Sequence, residues 1–337
     1  MAVMPHTDAE QALEAALSLD IPFWPQLPRL SYYEDMYVQA SEHFPGIVLD
    51  MDKKTLAFSM DKFVVELEET LLHFEEPAYF DISEQYSDVY HRFLKLDLLE
   101  RPAIRGQLEG PISFGLNVLD QDKRPIIFDD TVRPFMYEFM AKRINVQLER
   151  LKKLNPNAFM FIDEPGLQFL FSALSGYDST AARRDMEAFL SMIDRPRGVH
   201  LCGNPDWDFL LNLDMDILSM DVYLNAEIFS TYAGSIKRFL DRGGVMAWGI
   251  VPTNFEPFDA ETIETLTARL ENVWSILDKK GIEKEYLLSK SLISPATCCL
   301  VNPDGEKTVE RAFRMVQALS RRLREKYLPG AVSGIRP

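Results

Sequence analysis

The sequence is short of basic residues, short of cysteine, and without any long apolar run. Its 36 Lys and Arg stand against 52 Asp and Glu, a formal charge of −16. That balance argues against nucleic acid or anionic membrane as a partner, since both call for basic patches. It leaves small-molecule ligands open. No stretch of about 18 consecutive apolar residues occurs, so no membrane-spanning helix is predicted. Residues 1–10 lack the basic-then-apolar layout of a secretion signal, and a soluble, cytoplasmic protein is expected. The three cysteines, Cys202, Cys298 and Cys299, are too few and odd in number for a disulfide framework. In a reducing compartment they read as metal ligands, nucleophiles or small core residues. Gly/Ser linkers and low-complexity blocks are also missing, so no domain boundary is evident.

What is present suffices for one large core. Hydrophobic residues make up 47% of 337 positions, and α/β barrels commonly exceed about 250 residues as one unit. Thr7 and Glu10 are spaced as a capping box ahead of an apolar run over 9–19. Residues 19–28 read as a proline-studded loop. A strand-like 55–60 and a helix over 61–74 read as part of an N-terminal insertion or cap around 51–100. Beyond Glu100 strands are predicted at 104–108, 158–162, 198–201, 217–220, 245–251 and 287–293. Helices are predicted at 131–154, 179–193, through 237–241, and at 260–280 and 308–325. Such alternation implies a parallel sheet with right-handed crossovers. With an early candidate at 47–50, about eight strands are available, which favours closure into a (βα)8 barrel of TIM type. Residues 1–327 are expected to form that single barrel, and the Gly/Pro-rich 328–337 a loose tail.

In a parallel barrel, chemistry gathers where the strands end. Those ends carry Gly110-Pro111-Ile112-Ser113, Asp163-Glu164-Pro165, His200-Leu201-Cys202, Asp221, Pro252-Thr253 and Cys298-Cys299. Strand alternation places His200 and Cys202 on one face while Leu201 points away. Imidazole nitrogen and thiolate sulfur both suit zinc. Cys298 as a third ligand leaves one position open, and Asp221 is placed to be a weak fourth ligand that substrate displaces. A lone His-x-Cys is common, and a buried Cys is ordinarily a small hydrophobe; the second strand end bearing a cysteine favours the metal. Cys299 reads as structural. Asp163 has two open readings, a seat for a substrate ammonium or a helix cap ahead of Pro165. Ser113 and Glu164 beside it are candidate substrate-binding residues. His43, His73 and His91 read as surface or packing residues, whereas His6 is kept apart as a candidate catalytic residue with Asp163. Asp129-Asp130 reads as the cap of the next helix. Trp207 and Trp248 read as core, with a place on a cofactor face as the alternative.

Together, Ile162-Asp163-Glu164-Pro165, His200-x-Cys202, Asp214 to Asp221 and the late Cys298-x-Leu300 resemble the C-terminal catalytic domain of cobalamin-independent methionine synthase. The match is more specific for a compact, single-domain branch related to it. His200-Leu-Cys202-Gly203-Asn204 also resembles the zinc motif of coenzyme M methyltransferases, and both groups share the uroporphyrinogen decarboxylase-like barrel. The likeness extends from about Pro5 to Leu323. It implies zinc ligands at His200, Cys202 and Cys298. It places the family's zinc-site glutamate at Asp221, one methylene shorter, and the aspartate that holds the amino group of homocysteine at Asp163. Cys299 takes the place of a glycine, and of the family's Gly-Ser-Phe-Pro segment only Met4-Pro5-His6 remains.

The implied activity is zinc-dependent methyl transfer to a small thiol, homocysteine first among them. A free thiol is mostly protonated at neutral pH, and coordination to zinc supplies the thiolate that attacks the methyl group. A methylated corrinoid (methylcobalamin), on a separate corrinoid protein, is the preferred donor; a methylated folate is the other. Three alternatives are weighed: a methyltransferase for another, coenzyme M-like thiol, a uroporphyrinogen decarboxylase-like lyase, and a non-catalytic zinc or corrinoid binder. The decarboxylase needs several arginines around its pocket, and the loop after Pro22-Phe23-Trp24 offers Arg29 alone.

Overall fold

Burial on both faces decides which apolar segments of this chain become central strands. The computed structural model describes residues 2–170 and 177–328. The chain opens with α1 (Ala9–Leu17), α2 (Met36–Ser41), β1 (Ile47–Asp50), β2 (Thr55–Phe58), α3 (Met60–Leu72) and α4 (Asp88–Phe93). From there strands and helices alternate: β3 (Arg105–Glu109), α5 (Pro111–Asn117), α6 (Val132–Leu154), β4 (Phe159–Asp163), α7 (Ser179–Ser191) and β5 (Arg197–Leu201). Next come α8 (Trp207–Leu211), β6 (Ile217–Asp221), α9 (Val222–Thr231), α10 (Ala233–Asp241) and β7 (Val245–Val251). The chain continues through α11 (Phe255–Asp259), α12 (Ile263–Lys279), α13 (Lys284–Ser289), β8 (Ser291–Pro295) and α14 (Lys307–Tyr327).

Strands β3 to β8 pair in sequence order, all parallel. Two short segments extend that sheet, Phe23 bridging Arg105 and Val3 bridging Gln26, again parallel. The six strands and two bridged segments supply the eight positions of a (βα)8 barrel. On the outside, α1 and its following turn are tied to α14 by Gln11 Nε2 to Glu310 Oε1 at 2.8 Å and by Arg324 to Asp20 at 2.6 Å.

Four expectations are corrected. The first two barrel strands lie at Val3 and at Phe23–Gln26, the second of them inside what reads as a proline-studded loop over 19–28. Pro22 and Pro25 have no N–H, so few ladder bonds form and the strand signal is weak. Those that do form are Arg105 N to Pro22 O at 3.0 Å, Gln26 N to Ala2 O at 3.0 Å and Met4 N to Gln26 O at 2.9 Å. Residues 47–50 are instead β1, which pairs antiparallel with β2 in a hairpin apart from the barrel sheet; Val48 there is exposed. The last strand begins at Ser291 and not at 287, because the apolar pair Leu287-Leu288 belongs to α13. A short apolar run does not by itself distinguish strand from helix. The first helix is capped by Asp8, which accepts from Gln11 N at 2.8 Å, and not by Thr7. Residues 329–337 of the expected tail lie outside the described residues.

Alternation along β3 to β8 sorts side chains between two environments. Leu108, Ile162, Val199, Leu218, Met220, Met246 and Trp248 join the large core under the helices. Phe159, Phe161, Ile217 and Ala247 form a separate small cluster. This second set is the barrel interior near the N-terminal ends of the strands. Trp207 and Trp248 are fully buried, with indole nitrogens bonded to Asn204 Oδ1 at 2.7 Å and Ser291 Oγ at 2.8 Å. Asp129 Oδ1 accepts from Thr131 N and Val132 N at 2.8 and 2.9 Å at the entry to α6, whose N-cap position is Thr131.

A buried polar network fastens the N-terminal elements to the barrel. Gln26 Nε2 donates to Gln39 Oε1 at 2.8 Å, and Gln39 Nε2 donates to Glu34 Oε2 at 3.0 Å. Arg143 on α6, fully buried, donates to the carbonyls of Gln39 and Glu42 and lies 3.6 Å from the Glu42 carboxylate. Removing one member of a buried pair strands the other. Arg143→Ala is therefore expected to destabilise the protein by about 3–5 kcal/mol, read as a lower midpoint in urea denaturation.

Candidate functional site

One row of paired residues crosses the sheet near its C-terminal edge: Glu109 with Asp163, Asp163 with His200, His200 with Ser219, and Ser219 with Ala247. Paired residues on adjacent parallel strands share a face. Ala247 belongs to the interior cluster, so the whole row faces the barrel axis. Cys202 lies two residues beyond His200, and Asp221 two beyond Ser219, which puts them on the same face one step nearer the rim.

His200 is 4% exposed, and its Nδ1 lies 2.9 Å from Ser219 Oγ. With that nitrogen engaged by Ser219, Nε2 is the one left to bind. Burial, with a further contribution from Arg105, holds the imidazole well below its ordinary pKa and therefore neutral, the form that ligates metals. Cys202 and Cys298 are each half-buried free thiols. Burial first, then the neighbouring charges of Cys298, Asp163 and Asp221, push the Cys202 thiol up to about 11. Asp221 is fully buried and caps α9, its Oδ1 accepting from Leu224 N at 3.0 Å. Its Oδ2 is buried without a partner, and burial raises the carboxyl to about 6.

These donors suit a zinc ion: a neutral imidazole, two thiols and a carboxylate with an orphaned oxygen. Among the described residues no group of three or more His, Cys, Asp or Glu stands close enough together to hold a metal ion. Cys202 lies within electrostatic reach of Cys298, Asp163 and Asp221, and burial keeps its thiol protonated, a state that a bound cation would reverse.

Asp163 is not a helix cap. It is 5% exposed on the interior face, and burial raises it to about 6 while Arg105 draws it down. Glu164 and Ser113 are placed in each other's hydrogen bonds. Glu164 accepts from Ile112 N at 3.0 Å, Ser113 N at 2.8 Å and Ser113 Oγ at 2.6 Å, and Gly166 N donates to Ser113 Oγ at 2.8 Å. Burial raises Glu164 to about 7, with those three donors opposing. His6 is fully buried, 3.5 Å from Glu310 on α14. The charges that act most on it are Glu310, Glu306 and Asp8, so it stands with α14 and not with the row. Cys299 is buried, its thiol 3.3 Å from the Val301 carbonyl, as a structural residue would be. His43, His73 and His91 pack against Tyr79 O, Glu69 with Glu76, and Ile82 O.

Four neighbours of the site escaped notice in the sequence: Arg105, Glu109, Ser219 and Tyr37. A signal for two of them was there. Strands buried on both faces are ordinarily apolar throughout, so Arg105, Gln107 and Glu109 at every second position mark a polar inner face. Arg105 lies over the rings of Phe23 and Phe161 at 4.2 and 5.4 Å and donates to Gln107 at 3.1 Å. A hollow of about 540 Å³ borders Arg29, Tyr32, Asp35, Lys54, Leu300 and Asn302. A second cavity, about 300 Å³, runs along β8 and α14 and reaches the interior at Arg105, Phe161 and Ser219.

No family model matches the sequence, and no curated protein matches it. Solved structures do. The B12-independent methionine synthase from Shewanella sp. W3-18-1, in complex with selenomethionine, superposes with a TM-score of 0.56 at 15% identity, covering 96% of this chain and 89% of that one. A methyltransferase from Methanosarcina mazei superposes with a TM-score of 0.57 at 13% identity, covering 95% and 87%. The chain shares their fold. The resemblance carried by the motifs is thus borne out for the barrel, and identity this low carries the fold alone. No helix among the described residues is long and apolar enough to cross a membrane.

Two variants test the geometry. A Cβ on Gly110 would lie 2.2 Å from Glu164 Oε1, so Gly110→Ala is expected to cost about 1–3 kcal/mol by overpacking, measured by denaturant unfolding. The carboxyl of Asp163 titrates near 6 when folded and from an ordinary 3.8 otherwise. The folded chain therefore keeps a proton that the unfolded chain loses, and stability falls as pH rises through that window. Asp163→Asn should raise the melting temperature at about pH 7.5, by the equivalent of about 3 kcal/mol, and bring little gain at about pH 4. An equal gain at both would contradict the buried charge.

Proposed function

We propose that this protein is a methyltransferase that moves a methyl group to the sulfur of a small thiol, with zinc as its resident metal. The observation that carries this is the interior row. There His200 is neutral and oriented by Ser219, beside Cys202 and below an Asp221 whose Oδ2 has no partner. The methyltransferase barrels of similar fold support the reaction class. His200, Cys202 and Cys298 would hold the metal, with Asp221 as the weaker ligand that yields to substrate. When bound, zinc supplies a Lewis acid that lowers the pKa of a substrate thiol.

The chain's own groups do the rest. Ser219 holds the His200 ring so that Nε2 is presented. Asp163, a carboxylate on the same row, is placed to take a substrate ammonium by a charge-assisted hydrogen bond. Glu164 fixes the turn that carries Asp163. The apolar interior below, built on Phe159, Phe161, Ile217 and Ala247, excludes water and strengthens every charge interaction above it. In the reaction the thiol proton leaves to solvent and the sulfur lone pair forms the new S–C bond. The bond from methyl to donor breaks with its electron pair left on the donor, a role suited to a methylated corrinoid. The acidic groups at this end disfavour a decarboxylase for polyanionic substrates.

Elemental analysis of untagged protein should find about one zinc per chain. Cys202→Ala and Cys298→Ala should lose it together with methyl transfer from methylcobalamin to homocysteine; full zinc retained in both variants would remove the ligand assignment. Ser219→Ala should keep the fold and weaken zinc affinity by roughly 10–100-fold, measured by competition with a chelating indicator.

A further inference from the structure

The N-terminal end of the barrel holds a cavity that the chemistry above does not use. A (βα)8 interior is ordinarily filled by its own side chains, and protein interiors leave few voids larger than a water molecule. Here a hollow of about 300 Å³ is lined by Ile21, Phe159, Leu292 and Leu323 and continues inward to Arg105 and Ser219. Its cause lies in β8. That strand ends the six-stranded sheet, and among the described residues it pairs along one edge only, with β7. Leu292 packs on the interior cluster and Ile293 on the core under the helices. Both line the hollow, which therefore wraps around the unpaired edge. Burial follows suit: every residue of β4, β5 and β6 is buried, whereas Ser291 to Ser294 and Arg105 are half-buried. Their exposed surface is cavity wall.

The polar groups on that wall ask for an acceptor. Trp274 is 1% exposed, and its indole N–H is buried without a partner. The Ser294 hydroxyl is likewise buried without one. A buried donor left unmet is costly, and an indole can only donate. Arg105, 5.4 Å over the Phe161 ring, adds a guanidinium with donors and no acceptor. Burial draws it down to about 10, so it is still charged at neutral pH. Arg105, Arg324 and Asp20 are the charged residues on the wall, a net single positive charge. Arg324 and Asp20 pair with each other at 2.6 Å, both exposed, and mark the mouth.

We propose that this cavity binds a medium-chain aliphatic monocarboxylate, with the carboxylate on Arg105 and the chain along Phe159, Leu292 and Leu323. Apolar walls with a few placed polar groups are the usual make-up of a small-molecule site, and the volume sits at the lower end of the range, which suits a chain of about eight carbons. The site stands apart from the methyl-transfer function, since none of His200, Cys202, Cys298 and Asp221 lines it.

Calorimetry on the full chain measures butanoate, hexanoate and octanoate, with 1-octanol as the uncharged match to the last. Octanoate should bind at about one per chain. Affinity should rise about fourfold per added methylene, and octanoate should bind about tenfold tighter than 1-octanol. Arg105→Met should erase that preference while 1-octanol still binds. Asp163→Asn should tighten octanoate, because Asp163 is the anion that acts most on Arg105. Ser320→Phe, on the α14 wall of the cavity, should abolish binding of both ligands. Tryptophan emission reports the location without relying on that variant: octanoate should change it in the wild type, and most of the change should vanish in Trp274→Phe. Equal affinity for octanoate and 1-octanol in the wild type would overturn the anionic head group. An emission change kept in full by Trp274→Phe, or octanoate affinity unchanged in a folded Ser320→Phe, would overturn the location. No saturable octanoate binding would overturn the site altogether.

Discussion

The site depends on one buried carboxylate that never faces it. Glu164 receives the first two free N–H groups of α5 and the Ser113 hydroxyl, while its own N–H donates to the His200 carbonyl at 2.8 Å. Gly110 N donates to the Asp163 carbonyl at 2.8 Å in the same cluster. The ends of β3, β4 and β5 are thereby tied together. Hydrogen bonds to a charged acceptor are stronger than neutral ones, and the N-terminus of a helix is where a carboxylate is best placed. Gly110 is required because any side chain there would occupy the space of the Glu164 carboxylate. Glu109, Asp163 and His200 inherit their common height in the barrel from this clamp.

Along the barrel axis the interior changes character. Near the N-terminal ends of the strands it is aromatic and aliphatic, with Phe159, Phe161, Ile217 and Ala247 in contact. Near the C-terminal ends it is a set of groups whose charged forms are suppressed by burial: His200 neutral, Cys202 protonated, Asp163 and Asp221 raised. Sequences that fold well rarely bury so many ionisable groups in one place unless function demands it. A cation favours the charged forms of Cys202, Asp163 and Asp221, and the neutral imidazole of His200 is the form that ligates a metal.

The N-terminal elements are held by a buried polar network as well as by apolar packing on the main core. Gln26, on the second bridged segment, reaches Glu34 through Gln39, and Glu34 accepts from Ser87 Oγ at 2.7 Å and Val89 N at 3.2 Å. Arg143 adds the long helix α6 to that network. A connected buried network favours one arrangement, because displacing a bonded member would leave its partner unsatisfied. This arrangement brings Tyr37 of α2 and its capping residue Asp35 within reach of Glu109.

The sequence by itself determined the strand–helix alternation beyond Glu100, because apolar periods of two and of 3.6 are local properties. It also placed His200, Cys202 and Asp221 at strand ends, since the short apolar runs that precede them are readable residue by residue. It concealed the first two barrel strands, whose prolines remove the hydrogen bonds that make a strand recognisable, and it lent 47–50 the look of a barrel strand when they form a hairpin. Only the tertiary structure decided which residues stand side by side. Register between β3, β4, β5 and β6 aligned Glu109, Asp163, His200 and Ser219 across 110 residues of chain. It turned Glu164 and Ser113 toward each other, and sent His6 to Glu310 on the final helix. Local pattern fixes which face a side chain takes; the closing of the barrel fixes what it meets there, and burial then sets its charge.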